Sequence, residues 1–422
     1  MWWMSLMMTY NLKELLGKLS KTVRLPFIAN RLSSERIYQR KLGGLVRRIG
    51  NAVADGVLPA YAAYVASGEE ISGDEMMAMV GVGAAIATAE VINWAKDFVR
   101  GEMSWHNDKF VQSIKTATNL DVSALVRVDE AVLDDMVSRN VSLIKNLSDD
   151  TQNQIKQAVI NAKMSKRSAD DLKADIAHIL GKQDKRATLI ATDQTIKITA
   201  DLNEYRQRQA GVRYYRWEST ADGRVRQLHR QLHGRIYEWG KPTDAEQGLP
   251  PGKPIRCRCR AVAVVPAFEQ VSFKDIQLDD NDSEVQRLLI DLLDNKPKLH
   301  EAMAAAQYQA FFGVRLIRPK PEFVNGNAKA GFDYLVEQTG KRIDFMFTMH
   351  GYPKKKIEKL NQFFAHNDTT WADKKDDIQS HLRKADIVPL DLRYLTDENR
   401  TMLIQHVLSL PVKQQKQILF IE

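Results

Sequence analysis

Apolar residues recur at three- and four-residue steps through most of the first half of the chain, the spacing that sets them on one face of an α-helix. Leu15, Leu16, Leu19 and Val23 begin the pattern, Ile37, Leu42, Leu45, Val46 and Ile49 continue it, and Val132, Met136, Val137, Val141 and Ile144 repeat it within 130–147. Two further helices carry polar start signals. One is Ser148-Asp149-Asp150 before Ile155, Val159 and Ile160; the other is Ser165 to Ser168 before Leu172, Ile176 and Ile179. Gly181 is the expected end of the second, and a last helix is predicted over 186–208, carrying Leu189, Ile190, Ile196, Ile198 and Leu202. The longest apolar stretch is Met76 to Ala89, 14 uncharged residues between Glu75 and Glu90. A spanning helix needs about 18–20 such residues, so this one reads as a buried helix and no transmembrane segment or membrane partner is expected. Its Gly81-Val82-Gly83 lacks the third glycine and the preceding strand of a phosphate loop.

At Gly211 the period changes. Val212 to Trp217 reads as a strand, 222–232 returns to helical spacing and ends at Gly234, and Ile236 to Trp239 is a second short strand. A loop with Pro250 and Pro251 follows, then a last strand over 257–265. The acidic run 275–284 is the expected linker, a helix is predicted over 285–312, and Pro319 and Pro321 mark another break. The remainder has helical patterns with start signals at Thr370 and Thr396. The predicted fold class is α+β and predominantly α-helical. It comprises a helical N-terminal region (1–125), a module of helices and a strand–helix–strand core (126–266, core 211–265), a linker and helix (267–322), and a helical C-terminal domain (323–422).

Composition changes this picture little. Of 422 residues 44% are apolar and 27% charged, which excludes wholesale disorder, collagen-like repetition and a multispan membrane protein. Two cysteines exclude a disulfide framework and suit a reducing cytoplasm. The opening MWWMSLMM lacks a basic n-region and a cleavage site, so no signal peptide is expected; Met1, Met4 and Met8 are equivalent as starts. Charge is more telling. Between Tyr205 and Arg260 lie 13 Lys/Arg and 5 Asp/Glu, a balance of +8 that equals the whole chain's. A basic module in a near-neutral protein favours a polyanion or an acidic protein surface, or is simply a solvated face. With strand alternation, Arg256, Arg258 and Arg260 would share one face, opposite Cys257 and Cys259.

Those cysteines raise the one question of metal chemistry. Asp222 stands where a carboxylate would cap a helix. His229 and His233 would share a helix face, and Cys257 and Cys259 one side of a strand. Two sulfurs with one or two imidazoles suit tetrahedral zinc, which makes His229, Cys257 and Cys259 the candidate metal ligands and a structural zinc the only cofactor considered. One residue between the cysteines is fewer than zinc loops usually have, and neither His-x-Glu with Cys-x-x-Cys nor His-Glu-x-x-His is present. Two buried thiols beside a histidine bonded to a carboxylate or carbonyl would explain the same residues. No catalytic residue is expected here.

In order, Trp217, Asp222, Arg224, Arg226, His229, Gly234, Pro250, Pro251, Cys257 and Cys259 resemble the motif of the phage head morphogenesis family, the Mu F-like minor head proteins. The preceding helix, with Ala187 to Thr195, Asn203 and Gly211, fits as well, and the resemblance covers about 130–265. His233 falls where that family varies. The resemblance implies a non-enzymatic minor head component of a tailed phage or prophage. Portal and capsid proteins would be its partners, with packaged DNA meeting the basic module. Its place would be the virion head, and the bacterial cytoplasm during assembly. It also implies an alternative, because some such proteins carry the module ahead of a C-terminal toxin. Asp344, His350, His366, Asp368, His381 and Arg393 are the polar candidates there, but no two make a recognisable nucleophile–base or metal pair, so no enzyme is expected. A general DNA-binding protein ranks third, for want of any helix-turn-helix, zinc-finger or RNA-binding signature.

Overall fold

The computed structural model describes residues 8–422 apart from 18, 20, 21, 69, 70, 128, 221, 222, 322, 325, 326, 329, 330 and 365–367; of 323, 324, 327, 328, 368 and 369 only the backbone is described. Met1, Met4, Asp222 and His366 thus lie outside the described residues, as does the side chain of Asp368. The chain forms two compact units, 1–16 with 24–263 and 17–23 with 264–422. The run 275–284, expected as a linker, lies inside the second.

Four long helices dominate the first unit: α1 (Leu32–Ala52), α3 (Gly73–Thr118), α4 (Glu130–Met164) and α5 (Ala169–Gln209), with the shorter α2 (Leu58–Ser67) after a π-turn at Val53–Val57. Leu42, Leu45, Val46 and Ile49 of α1 are buried with Ile144, Ile155 and Val159 of α4 and Leu172 and Ile176 of α5. Two expected helix breaks are absent. Ser148 sits inside α4, where Thr88 of α3 donates a hydrogen bond to its hydroxyl at 2.8 Å, so tertiary contact satisfies the side chain that would otherwise favour a cap. Gly181 sits inside α5; a Cβ there would point into open space, and the helix simply continues past it. Ser168 does cap α5, in a capping box with Asp171. The apolar part of α3 is long and apolar enough to cross a membrane by length and composition alone. It is buried on one side only: Met76, Val80, Ala84 and Ala87 face the core while Met79, Val82 and Ile86 are exposed.

Beyond α5 come β1 (Tyr214–Glu218), the one-turn α6 (Gln227–Gln231), β2 (Ile236–Glu238) and β3 (Arg260–Val265). β1 pairs antiparallel with β2, and β3 lies on the other side of β1. Gly234 takes φ 85° and brings the chain back so that its N–H reaches the Trp217 carbonyl at 2.8 Å. A side chain there would be strained in that left-handed conformation.

The second unit is more sheet-like than its helical patterns imply. Its elements are β4 (Glu269–Val271), α7 (Ser283–Leu288), α8 (Leu299–Phe312), β5 (Leu316–Ile317), β6 (Tyr334–Val336), β7 (Arg342–Ile343), α9 (Lys354–Gln362), α10 (Asp368–Lys384), β8 (Val388–Asp391), α11 (Asp397–Ser409) and β9 (Ile418–Ile421). The helix expected over 285–312 is interrupted by a tight hairpin, Ile290 pairing with Pro297. β5, β6 and β7 are antiparallel, whereas β8–β9–β4 is parallel. Parallel bridges Ile343–Ile387 and Met346–Leu390 join the two sets. β8 and β9 are buried at every position, and β9, Ile-Leu-Phe-Ile, reads as a continuous apolar run instead of an alternating one.

A buried imidazole makes the first unit acid-sensitive. His106 is fully buried, with Nε2 3.1 Å from Asn203 Oδ1. Burial pushes it down to about 3 against the Asn203 hydrogen bond. The unfolded imidazole takes its proton near 6.5, so between these values the unfolded state binds more protons. The contribution is complete above about pH 6.5 and falls as pH drops toward 3. Urea unfolding followed by a first-unit tryptophan should lose about 2 kcal/mol between about pH 6.5 and pH 5 on this account. A His106→Gln variant should show a correspondingly flatter slope, and an equal slope would exclude His106 as the source.

Candidate functional site

Two clusters of ionisable groups are assembled, one in each unit. In the first, α6 delivers His229 and the chain ahead of β3 delivers Cys257 and Cys259, all buried. His229 Nδ1 lies 3.3 Å from Cys257 Sγ and 3.6 Å from Cys259 Sγ. Its Nε2 is 2.7 Å from Glu246 Oε2. Trp217, wholly buried, meets the imidazole edge-on at 5.2 Å. Gly252, with φ 87°, donates its N–H to Cys257 Sγ at 3.4 Å, and a Cβ there would lie 2.6 Å from that of Ala200. A hydrogen bond from Cys259, then the Gly252 N–H and the nearby imidazole, favour the Cys257 thiolate against burial. The neighbouring Cys259 thiol is pushed the other way, chiefly by Cys257 and by burial.

Several expected details are corrected. α6 starts at Gln227 and ends at Gln231, so His233 lies past its end, exposed, with Nδ1 accepting from Ser219 N at 3.1 Å. Cys257 and Cys259 precede β3, which begins only at Arg260. Arg256 has φ 57° in a turn and Arg260 lies 4.3 Å over the Phe27 ring, so Arg256, Arg258 and Arg260 do not form one strand face. The thiols of Cys257 and Cys259 are buried, whereas Arg256 is exposed and Arg258 and Arg260 are half-buried. Arg226 ties the two segments together, donating to the Ile255 carbonyl at 2.7 Å and pairing with Glu246 at 3.5 Å. Arg224 is exposed, Pro250 half-buried and Pro251 buried.

The second cluster sits at the open end of the β6–β7 hairpin. Tyr334 pairs with Ile343, so Asp333 and Asp344 are the next residues facing each other. Phe345 N donates to Asp333 Oδ2 at 2.8 Å. Asp344 is buried, and His381 of α10 brings Nδ1 within 2.6 Å of its Oδ2. Glu301, in the first turn of α8, pairs with Arg318 at 2.9 Å, and Arg318 lies 4.2 Å over the Tyr334 ring. His300 Nδ1 is 2.9 Å from Thr348 Oγ1, and its ring packs on Tyr352 beneath Lys356. Burial, then the charges of Glu301 and Asp344, hold the Asp333 carboxyl well above the usual carboxylate range. Burial, then Lys298, Arg318 and Lys356, push His300 down to about 4. Crowded carboxylates flanked by cations are what a phosphodiester and a hard cation would find complementary.

Residues 150–262 match the family described as Phage Mu protein F like protein. That segment belongs to the Mu F-like phage head morphogenesis family. Residues 299–421, past the Mu F-like segment, match the family described as CdiA C-terminal tRNase domain. A Burkholderia pseudomallei protein named tRNA nuclease CdiA is 33% identical over 123 residues, covering 29% of this chain and 9% of that protein. An uncharacterised Haemophilus influenzae protein is 31% identical over 193 residues, 44% of this chain and 41% of its own length. The chain therefore spans less than half of either curated relative. Among solved structures, a CdiA-CT toxin of Burkholderia pseudomallei E479, in complex with its cognate CdiI immunity protein, is 31% identical; the match covers 29% of this chain and 98% of that one, with a TM-score of 0.24.

The expectation of a non-enzymatic chain is thereby overturned: its C-terminal region is similar to a nuclease toxin domain. Of the C-terminal polar candidates, the structure brings Asp344 and His381 to an ion-pair separation of 2.6 Å. His350 instead pairs with Asp280 at 2.6 Å, and Arg393 chelates the buried Asp391 carboxylate at 2.9 and 2.7 Å. Asp333, Glu301, His300, Arg318 and Thr348 were not singled out from sequence. One signal was legible: Tyr334-Leu-Val and Arg342-Ile flank Gly340, which turns the hairpin at φ 67° and sets Asp333 opposite Asp344.

Like-charge crowding in a partly buried place opposes folding when both groups ionise. Asp333→Asn keeps an acceptor for Phe345 N and removes a carboxyl whose ionisation this site opposes. It should therefore raise the thermal midpoint of the second unit at neutral pH, by roughly 2–4 °C for each kcal/mol regained. Calorimetry of the full chain checks this, and a lowered midpoint would mean that the carboxylates are not in conflict.

Proposed function

We propose that this chain is a phage head component whose C-terminal region is a tRNA-cleaving nuclease, with Asp333 and Asp344 at its reacting centre. The match of residues 299–421 to the CdiA C-terminal tRNase family carries this reading. The crowded carboxylates support it independently, because hydrolysis of a phosphodiester requires charge neutralisation beside a general base. Asp333 and Asp344 fit a divalent cation of the magnesium kind, which takes one or two protein carboxylates and the rest of its oxygens from water and phosphate. Such an ion supplies Lewis acidity at the phosphoryl group. The chain's own groups do the remaining work: exposed Lys356 attracts the backbone phosphates, Arg318 offsets the carboxylate charge through its pair with Glu301, neutral His300 donates or accepts a hydrogen bond, and His381 lies beside Asp344.

For the Mu F-like segment the same reading assigns a place in the virion head, in contact with portal and inner capsid proteins, and release with the DNA. Its local charge of +8 supports a polyanionic or acidic neighbour there.

Purified full-length protein incubated with total tRNA and magnesium should yield discrete fragments on a denaturing gel. Asp333→Asn and Asp344→Asn should each slow cleavage by about 100-fold or more, with circular dichroism unchanged. Intact tRNA from a natively folded wild-type protein would sink the nuclease assignment. Absence of the chain from purified virions and proheads by mass spectrometry would sink the head assignment.

A further inference from the structure

We infer that the Mu F-like segment holds a buried zinc ion on His229 Nδ1, Cys257 Sγ and Cys259 Sγ, oriented from behind by Glu246. Among the described residues these three are the one set of histidine, cysteine and acidic groups whose ligand atoms all lie within 4.8 Å of one another. Their spacing fits the metal. With zinc–sulfur bonds of about 2.3 Å and zinc–nitrogen bonds of about 2.0–2.1 Å at tetrahedral angles, nitrogen and sulfur stand about 3.5 Å apart. The two N···S separations here are 3.3 and 3.6 Å.

The tautomer fits as well. His229 Nε2 gives its hydrogen to Glu246 Oε2 at 2.7 Å, which leaves Nδ1 with the free lone pair that faces both sulfurs. A carboxylate behind a ligating imidazole is the usual means of fixing ring orientation and raising basicity. On the sulfur side, the Gly252 N–H points at Cys257 Sγ, a bond that favours thiolate over thiol. Two thiolates and a neutral imidazole cancel the double charge of zinc, so the site is electrically neutral. Neutrality is what its surroundings demand, because Trp217, Leu232 and Trp239 line the same cluster and a net charge there would be unsolvated.

The geometry also disposes of two objections raised by sequence. A single residue between the cysteines is a difficulty for a zinc loop that must wrap the ion. Here His229 arrives from a separate element, so the cysteine segment has only to present two sulfurs to one side. The exposed His233 is not needed, being held by Ser219 N. With three protein ligands the fourth tetrahedral position falls to water or to another donor, as in sites that keep one position open.

The test uses the full-length chain, purified under reducing conditions without chelator, and the metals themselves as probes. Elemental analysis should find about one zinc per chain. In the Cys257→Ser/Cys259→Ser protein that zinc should be gone. Apoprotein titrated with cobalt(II) should develop a sulfur-to-cobalt charge-transfer band and the intense visible bands of tetrahedral coordination. Glu246→Gln, at a largely solvent-exposed residue, should weaken metal affinity by about 10–100-fold while leaving the fold unchanged by circular dichroism. If the double serine variant fails to fold, the cobalt spectrum of the wild-type apoprotein decides alone. Zinc retained in a folded double variant, or no charge-transfer band in the wild type, would overturn the site and leave two thiols beside a hydrogen-bonded histidine.

Discussion

A polar group taken out of water must find a partner, and each part of this chain is organised by how it meets that constraint. In the helical unit many of the partners are neutral side chains, while the buried Glu102 accepts from Ser34 at 2.6 Å and pairs with Arg31 at 3.2 Å. Tyr38 donates to Asn140 at 2.8 Å where both are buried, and Thr88 meets Ser148. These contacts allow polar residues to stay inside a long helix, and the one at Ser148 is why α4 runs through a point where an isolated helix would stop.

In the strand–helix–strand core the same constraint draws chemistry together. Trp217 and Trp239 exclude water from the region, so His229 cannot remain unpaired and takes Glu246 on one nitrogen and two sulfurs on the other. Gly252 is part of that arrangement for a steric reason. Its left-handed backbone passes against Ala200 of α5, leaving no room for a side chain, and its N–H is aimed at sulfur as a result.

The second unit meets the constraint incompletely. Arg393 satisfies the fully buried Asp391 with a two-point contact, whereas Asp333 has a single backbone N–H, and the charges of Glu301 and Asp344 beside it outweigh that of Arg318. A carboxyl left in that condition is an energetic liability unless a cation or proton arrives. That contrast separates a carboxylate whose partner is built into the fold from one that the fold leaves crowded.

Much of this was legible in the residues themselves. Three- and four-residue apolar spacing set out α1, α4 and α5, Ser168 and Thr396 cap helices where their side chains imply, and the ordered motif from Trp217 to Cys259 identified the Mu F-like segment. These are local signals: a helix face, a cap or a turn is encoded within a few residues. The carboxylate cluster of the second unit was not legible, because Glu301, Asp333, Asp344 and His381 are spread over 81 positions of sequence and converge only through strand register and the packing of α8 and α10. Continuously apolar runs such as Ile418–Ile421 look alike in a buried helix and a buried strand, so the parallel sheet emerged only in the fold. The sequence named His229, Cys257 and Cys259, but tertiary structure decided which nitrogen faces the sulfurs and that His233 does not.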